Sequence, residues 1–236
     1  MHCSARRSAF RDVISAPWIL ATRNVGKLRE LRALFADSGI GVVDLEQAGI
    51  AETAAEGGIE VFDTFEENAV AKARFFGERA GGRVVVADDS GLDVRALGGE
   101  PGVRSRRWSG RSDLEGAELD AANNALLLER LRGVRDRRAT FVCAAAWWGD
   151  GGPIVVRGEV QGTIVTEPAG ADGFGYDPLF FSSDLGCTLG VATLAEKQRV
   201  SHRSRAFRAL LDAWRARLLL PSTSHDASLT RVGDGS

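Results

Sequence analysis

The sequence predicts an α/β protein built on a mixed sheet. Three observations lead there. In the first half, short β-branched and apolar runs alternate with stretches whose apolar residues recur at helical spacing. In the second half the strand-like runs cluster, and a glycine-rich turn separates two of them, so antiparallel pairing joins the parallel kind. The composition, 44% hydrophobic and 26% charged over 236 residues, is that of a soluble globular chain with one large domain or two small ones.

The elements follow in order. Residues 1–16 read as a flexible N-terminal extension, 17–220 as the folded domain and 221–236 as a disordered polar tail. Pro17 to Ala21 is the first core strand, and Thr22 to Lys27 a polar turn containing Gly26. Leu28, Leu31, Leu34 and Phe35 then mark a helix to about Asp37, stopped by Ser38-Gly39. Gly41 to Leu45 is a short strand, and 46–60 a loop. Thr64-Phe65-Glu66-Glu67 is a capping box opening a helix through Ala69, Ala73 and Phe76. Val84-Val85-Val86-Ala87 reads as a buried strand that ends at Asp88-Asp89, with Ser90-Gly91 turning the chain. Arg95 to Gly110 is a loop. Ser112 to Glu115 is a second capping box, for a helix carrying Leu119, Leu126, Leu127 and Leu131. Ala139–Trp148 and Pro153–Val160 form a hairpin, and Gln161-Gly162 leads to a third strand, Thr163 to Thr166. Glu167 to Pro178 is a glycine-rich loop. Ser201 caps a last helix with Phe207, Leu210, Leu211 and Trp214 on one face.

Composition excludes some functions. A net charge of −2 argues against a surface that coats nucleic acid. No apolar run approaches the ~20 residues of a membrane helix. The N-terminal segment carries Arg6, Arg7 and Arg11 without the apolar stretch of a secretory signal. Cys3, Cys143 and Cys187 lack metal-ligand spacing and suggest reduced thiols in a cytoplasmic protein. Of 30 basic residues only Lys27, Lys72 and Lys197 are lysines, which singles out those positions.

Four segments can carry chemistry. The turn Thr22-Arg23-Asn24-Val25-Gly26-Lys27 joins a strand to a helix and can offer N–H groups and a cation to a phosphate, or be an ordinary βα turn capped by Asn24. The carboxylates of Asp88, Asp89, Glu60, Glu66 and Glu67 are candidates for a hard cation such as Mg²⁺, or serve as strand and helix caps. Adjacent strand positions face opposite ways, so Asp88 and Asp89 should differ in role. Gly173-Phe174-Gly175-Tyr176-Asp177-Pro178 holds the chain's single tyrosine and suits stacking on a flat base, or anchors a loop. Lys197, Ser201, His202 and Arg203 can present donors to an anion or a carbonyl edge, or solvate a helix.

Together and in this order, these segments resemble the noncanonical purine nucleoside triphosphate pyrophosphatases, the inosine triphosphatase family. The resemblance runs from about Ile19 to Leu211. It also includes Thr64 to Ala69 with Lys72-Ala73, Ala87 to Leu92, Gly98 to Gly102 and Glu167 to Gly170. It implies an elongated central mixed sheet flanked by helices, with two lobes and an active-site cleft between them. It also implies a homodimer and Mg²⁺-dependent hydrolysis of ITP, dITP and XTP to the monophosphate and pyrophosphate. By position, Thr22, Arg23, Asn24, Val25, Gly26 and Lys27 would hold the triphosphate. Asp89 would be metal ligand and catalytic base, Glu60 a second metal ligand, and Asp88 a structural neighbour. Ser90, Phe174, Gly175, Tyr176, Asp177, Lys197, His202 and Arg203 would complete the nucleotide site, and Lys72 would reach the phosphates.

Two departures stand out. Glu60-Val61-Phe62 replaces the family's Glu-Thr-Gly, and Arg104-Ser105-Arg106-Arg107-Trp108 replaces a segment written around Tyr-Ser-Ala-Arg-Tyr. The added arginines either tighten phosphate contacts or sit in solvent. Rival readings are a pyrophosphatase for modified pyrimidine or methylated nucleotides, and a nucleotide-binding regulator without turnover. A purely structural dimerisation protein leaves the clustered charged groups unexplained.

Overall fold

The computed structural model describes residues 16–219. The expectations for residues 1–15 and for the tail 221–236 lie outside that range. The strands are β1 (Trp18–Leu20), β2 (Val42–Asp44), β3 (Val85–Val94), β4 (Pro101–Gly102), β5 (Arg138–Trp148), β6 (Ile154–Ile164), β7 (Phe180–Ser182) and β8 (Cys187–Thr188). The helices are α1 (Val25–Ala36), α2 (Phe65–Gly77), α3 (Gly116–Arg130), α4 (Leu194–Val200) and α5 (His202–Leu219). The eight strands form one mixed sheet in the order β2-β1-β3-β5-β6-β7-β8, with β4 on β3. β1 runs parallel to β2 and β3, and the remaining pairs are antiparallel.

Alternation along β3 distributes the core. Val85 and Ala87 pack with Ile19, Ala69, Ala73 and Phe76 on the side covered by α2. Val86 packs with Trp18, Phe35, Phe207 and Leu210 on the side covered by α1 and α5. Farther along, Leu92 and Val94 join Phe141, Leu127 and Phe180 in a third cluster. The long hairpin of β5 and β6 thus bridges separate apolar clusters, with a polar gap at Asp88 to Ser90.

Local chemistry explains the ends of the helices. Thr64 Oγ accepts from Glu67 N–H at 3.2 Å, so Thr64 caps α2 as read, but the Glu67 carboxylate accepts from the Thr64 hydroxyl at 2.7 Å rather than from its N–H, leaving the reciprocal half of the box unmade. Ser201 Oγ accepts from Ser204 N–H at 3.2 Å at the head of α5. The second capping box does not form. α3 starts one residue beyond it, at Gly116, and Asp113 is held by Arg111 at 2.7 Å instead.

Two glycines misled the strand boundaries. β3 does not stop at Asp89: Asp89, Ser90 and Gly91 stay paired with Ala144, Cys143 and Val142 of β5. Gly91 is required by crowding, because a Cβ there would meet Gly102 O and Ser105 Oγ at 2.4 Å. Likewise β6 runs unbroken through Gln161-Gly162, where a Cβ would strike the Phe180 ring at 2.4 Å. The loop expected over 46–60 contains a 3₁₀ turn, Ala54–Gly58, and the loop Arg95–Gly110 contains two more, Arg95–Leu97 and Ser105–Arg107, around β4.

Topology positions the site. The crossover α1 leads from β1 to β2 on one face, and α2 leads from β2 to β3 on the other. A crevice therefore opens beyond the carboxyl end of β1, at a topological switch point. On that side β3 pairs with β1 up to Val86 and with β4 only from Leu92. The edge from Ala87 to Gly91 has no strand beside it, and a cleft lies along it.

Candidate active site

The two adjacent carboxylates have opposite surroundings. Asp88 is fully buried on the α1/α5 side, where Lys27 Nζ lies 3.0 Å and Arg203 Nε 3.2 Å from its Oδ2. Burial opposes its charge, but Lys27 and Arg203 outweigh that and hold its pKa far below the usual carboxylate range. Asp89 faces the other way and lines the cleft. Its Oδ2 accepts from Asn68 Nδ2 at 3.0 Å and its Oδ1 from Ser90 N–H at 2.9 Å. Both donors are neutral, so burial, with the negative Glu60 nearby, pushes its pKa up to about 6 against the pull of Lys27 and Lys72.

The turn after β1 is organised by its own side chains. Thr22 Oγ accepts from Asn24 N–H at 3.2 Å, and Asn24 Oδ1 accepts from Lys27 N–H at 2.9 Å. Asn24 and Lys27 line the cleft. Thr22, Arg23, Val25 and Gly26 do not line it, and Val25 is 79% exposed. Arg23 is committed elsewhere: it grips Glu56 with Nε and Nη2, each at 2.7 Å, tying the turn to the 3₁₀ segment. Gly26 packs directly under Phe174, since a Cβ at that position would sit 2.4 Å from the ring.

Glu60 also lines the cleft and is paired with Lys72, which lies outside the cleft wall. Burial raises the pKa of Glu60, yet Lys72 and Lys27 bring it below the usual glutamate value.

The far end of the cleft is held by a buried ion network. Lys197 Nζ lies 2.5 Å from Glu30 Oε1 and 2.6 Å from Asp177 Oδ2. Arg203 pairs with Glu30 as well as Asp88, and its Nη2 donates to Ser90 Oγ at 2.8 Å. Burial works against the Lys197 ammonium, but Asp177 and Glu30 keep its pKa above the usual lysine value. Burial and Arg203 depress the His202 pKa well below normal, leaving a neutral ring stacked 4.6 Å from Phe141. Phe174 N–H donates to Asp177 Oδ2 at 2.8 Å, so Asp177 closes the glycine loop onto Lys197.

This arrangement lies inside a stretch with known relatives. The Ham1 family profile matches residues 18–213. The chain belongs to the Ham1 family. It is 46% identical over 201 residues to a dITP/XTP pyrophosphatase of Bordetella parapertussis, covering 84% of this chain and 91% of that one. A dITP/XTP pyrophosphatase of Frankia alni is 49% identical over 195 residues, covering 81% and 94%. Among solved structures, the Staphylococcus aureus Ham1 protein matches with a TM-score of 0.70 at 34% identity, covering 86% of this chain and all of that one.

Within the Ham1 chain, the cleft gathers Asn24, Lys27, Glu60, Asp89, Ser90, Phe174, Gly175, Tyr176, Asp177, Lys197, His202 and Arg203 from the residues singled out by sequence. Sequence reasoning missed Glu30, although it sits three residues from Lys27 on the same helical face as Leu34, where a carboxylate is out of place. It also missed the supports on α3. Asp120 Oδ2 accepts from Gly175 N–H at 2.7 Å, and Asn124 Nδ2 donates to Gly175 O at 3.0 Å. Their i, i+4 spacing was visible, but not what it would face.

Proposed function

We propose that this Ham1 chain hydrolyses dITP, ITP and XTP to the monophosphate and pyrophosphate, with Mg²⁺ as cofactor. The observation that carries the reading is the difference between the two carboxylates. Asp88 is paired with protein cations, whereas Asp89 faces the cleft with only neutral donors in contact. The names of relatives at 46–49% identity support the substrate class.

The residues fit Mg²⁺, which takes one or two carboxylates and leaves its other positions to water and phosphate. Asp89 and Glu60 would hold it, and it would supply charge neutralisation at the reacting phosphate. Asp89 has a second task, to orient the attacking water and take its proton; beside a bound cation its carboxylate would stay ionised and able to do so. At the head of α1, Asn24 caps the N–H of Lys27, leaving the N–H groups of Val25 and Gly26 to face phosphate. Lys27 adds a cation there, and Thr22 and Arg23 hold the turn in place. Phe174 to Asp177, Lys197, His202 and Arg203 form the base end, where donors to a 6-oxo group would be left unpaired by adenine.

The proposal includes a homodimer, as the family resemblance implies, in the cytoplasm, as the cysteine usage suggests. No helix among the described residues is long and apolar enough to cross a membrane. The decisive experiment measures pyrophosphate release from dITP, ITP, XTP, GTP and ATP with Mg²⁺. No release from dITP, ITP or XTP, or equal cleavage of ATP and GTP, overturns the reading. Light scattering of the purified chain tests the dimer.

A further inference from the structure

We propose that Arg106 is a further substrate-binding residue of this cleft, taking an oxygen of the triphosphate. The inference rests on the function proposed above and adds a residue to that site.

The argument starts from the commitments of the cations around the cleft. Lys27 is paired with Asp88, Lys197 with Glu30 and Asp177, and Arg203 with Glu30 and Asp88. Arg107 gives its Nη2 to the Glu60 carbonyl at 2.9 Å. Arg106 lines the cleft too, and among the described residues its side chain makes no hydrogen bond or ion pair. A triphosphate brings several negative charges into a site whose built-in cations are largely spoken for. An uncommitted guanidinium on the wall is the group left to meet it, and its planar donors match phosphate oxygens.

The backbone beneath Arg106 is held firmly while the side chain is free. Asn123 Nδ2 donates to Arg106 O at 3.1 Å, and Asn123 Oδ1 accepts from Ser109 N–H at 2.8 Å. Tyr176 Oη donates to Ser105 O at 2.8 Å, and Ser105 Oγ accepts from Leu92 N–H at 2.8 Å. Successive side chains of a 3₁₀ turn diverge by about 120°, so Arg106 and Arg107 serve different neighbours. Arg104 lines a separate groove with Asp93 and Glu100. The extra positive charge noted in the sequence therefore divides, and only Arg106 of the two added arginines belongs to the cleft. In ITP the base is neutral, so the triphosphate carries the charge that a guanidinium would pair with; a contact to the base instead would show as a loss of IMP inhibition.

The test compares the unmodified chain with Arg106→Ala. KM for ITP should rise about tenfold in Arg106→Ala, the worth of one charge-assisted hydrogen bond. The value of kcat should stay within about twofold, because ground and transition states both carry the anion. Competitive inhibition by IMP, which lacks the outer phosphates, should be unchanged and shows that the variant is folded. An unchanged KM for ITP, or a parallel loss of IMP inhibition, overturns the assignment. If the unmodified chain releases no pyrophosphate from ITP, the proposed function fails separately. Calorimetric titration with inorganic tripolyphosphate then decides on Arg106: weaker binding to Arg106→Ala supports it, and equal binding overturns it.

Discussion

Asp88 and Asp89 are neighbours in the chain and opposites in the molecule. One lies between two cations under α1 and α5, the other between two neutral donors beside the cleft. Burial is similar for both, at 0% and 6% exposure, so burial alone does not separate them. Charge compensation does. A compensated carboxylate serves the fold, and an uncompensated one still attracts a cation.

The sharpest way to break this comparison is Asp89→Asn. It should lower pyrophosphate release from ITP by about 10⁴-fold while the unfolding transition remains cooperative. Substantial remaining turnover would remove Asp89 from the chemistry. Asp88→Asn should act in the opposite way. It leaves Lys27 and Arg203 facing a neutral group in the interior, and should cost about 3–5 kcal/mol in urea unfolding. A stable Asp88→Asn protein would show that the cations find other partners.

Glu30 extends the compensated side and carries a pH signature. Burial opposes its charge, but Arg203 and Lys197 lower its pKa to about 2. A depressed carboxyl stabilises the fold above its unfolded value and loses that contribution as pH falls toward the folded value. Glu30→Gln should therefore lose about 2–3 kcal/mol at pH 7, with the gap narrowing from about pH 4 downward. Urea titrations across that range measure it, and a gap that ignores pH would sever Glu30 from the ion network. The smallest effect is expected at the outer strut. Arg23→Ala and Glu56→Ala should each cost about 1 kcal/mol, and the double variant hardly more, since the pair is partly exposed. Additive losses would mean that the two residues act separately.

The sequence carried the alternation of α1 and α2 with β1 to β3, because apolar spacing and caps such as Thr64 are local signals. It also carried most of the cleft, because Lys27, Asp89 and the Phe174–Asp177 loop lie in compact segments. What it hid depended on distant contacts. Gly91 and Gly162 read as breaks, yet each is a place where Ser105 or Phe180 comes too close for a side chain. Short β7, β8 and α4 have too few residues to establish a period. Glu30, Asp120 and Asn123 acquire their roles only when a helix face meets a loop from elsewhere in the chain.

The contact between Gly26 and Phe174 has one more implication. It sets the turn proposed to meet phosphate directly against the loop proposed to meet the base, with no side chain between them. The two ends of the cleft are thereby held at one separation, like the jaws of a gauge. A ligand is then measured by its length as well as its charge, and any residue larger than glycine at position 26 would reset the instrument.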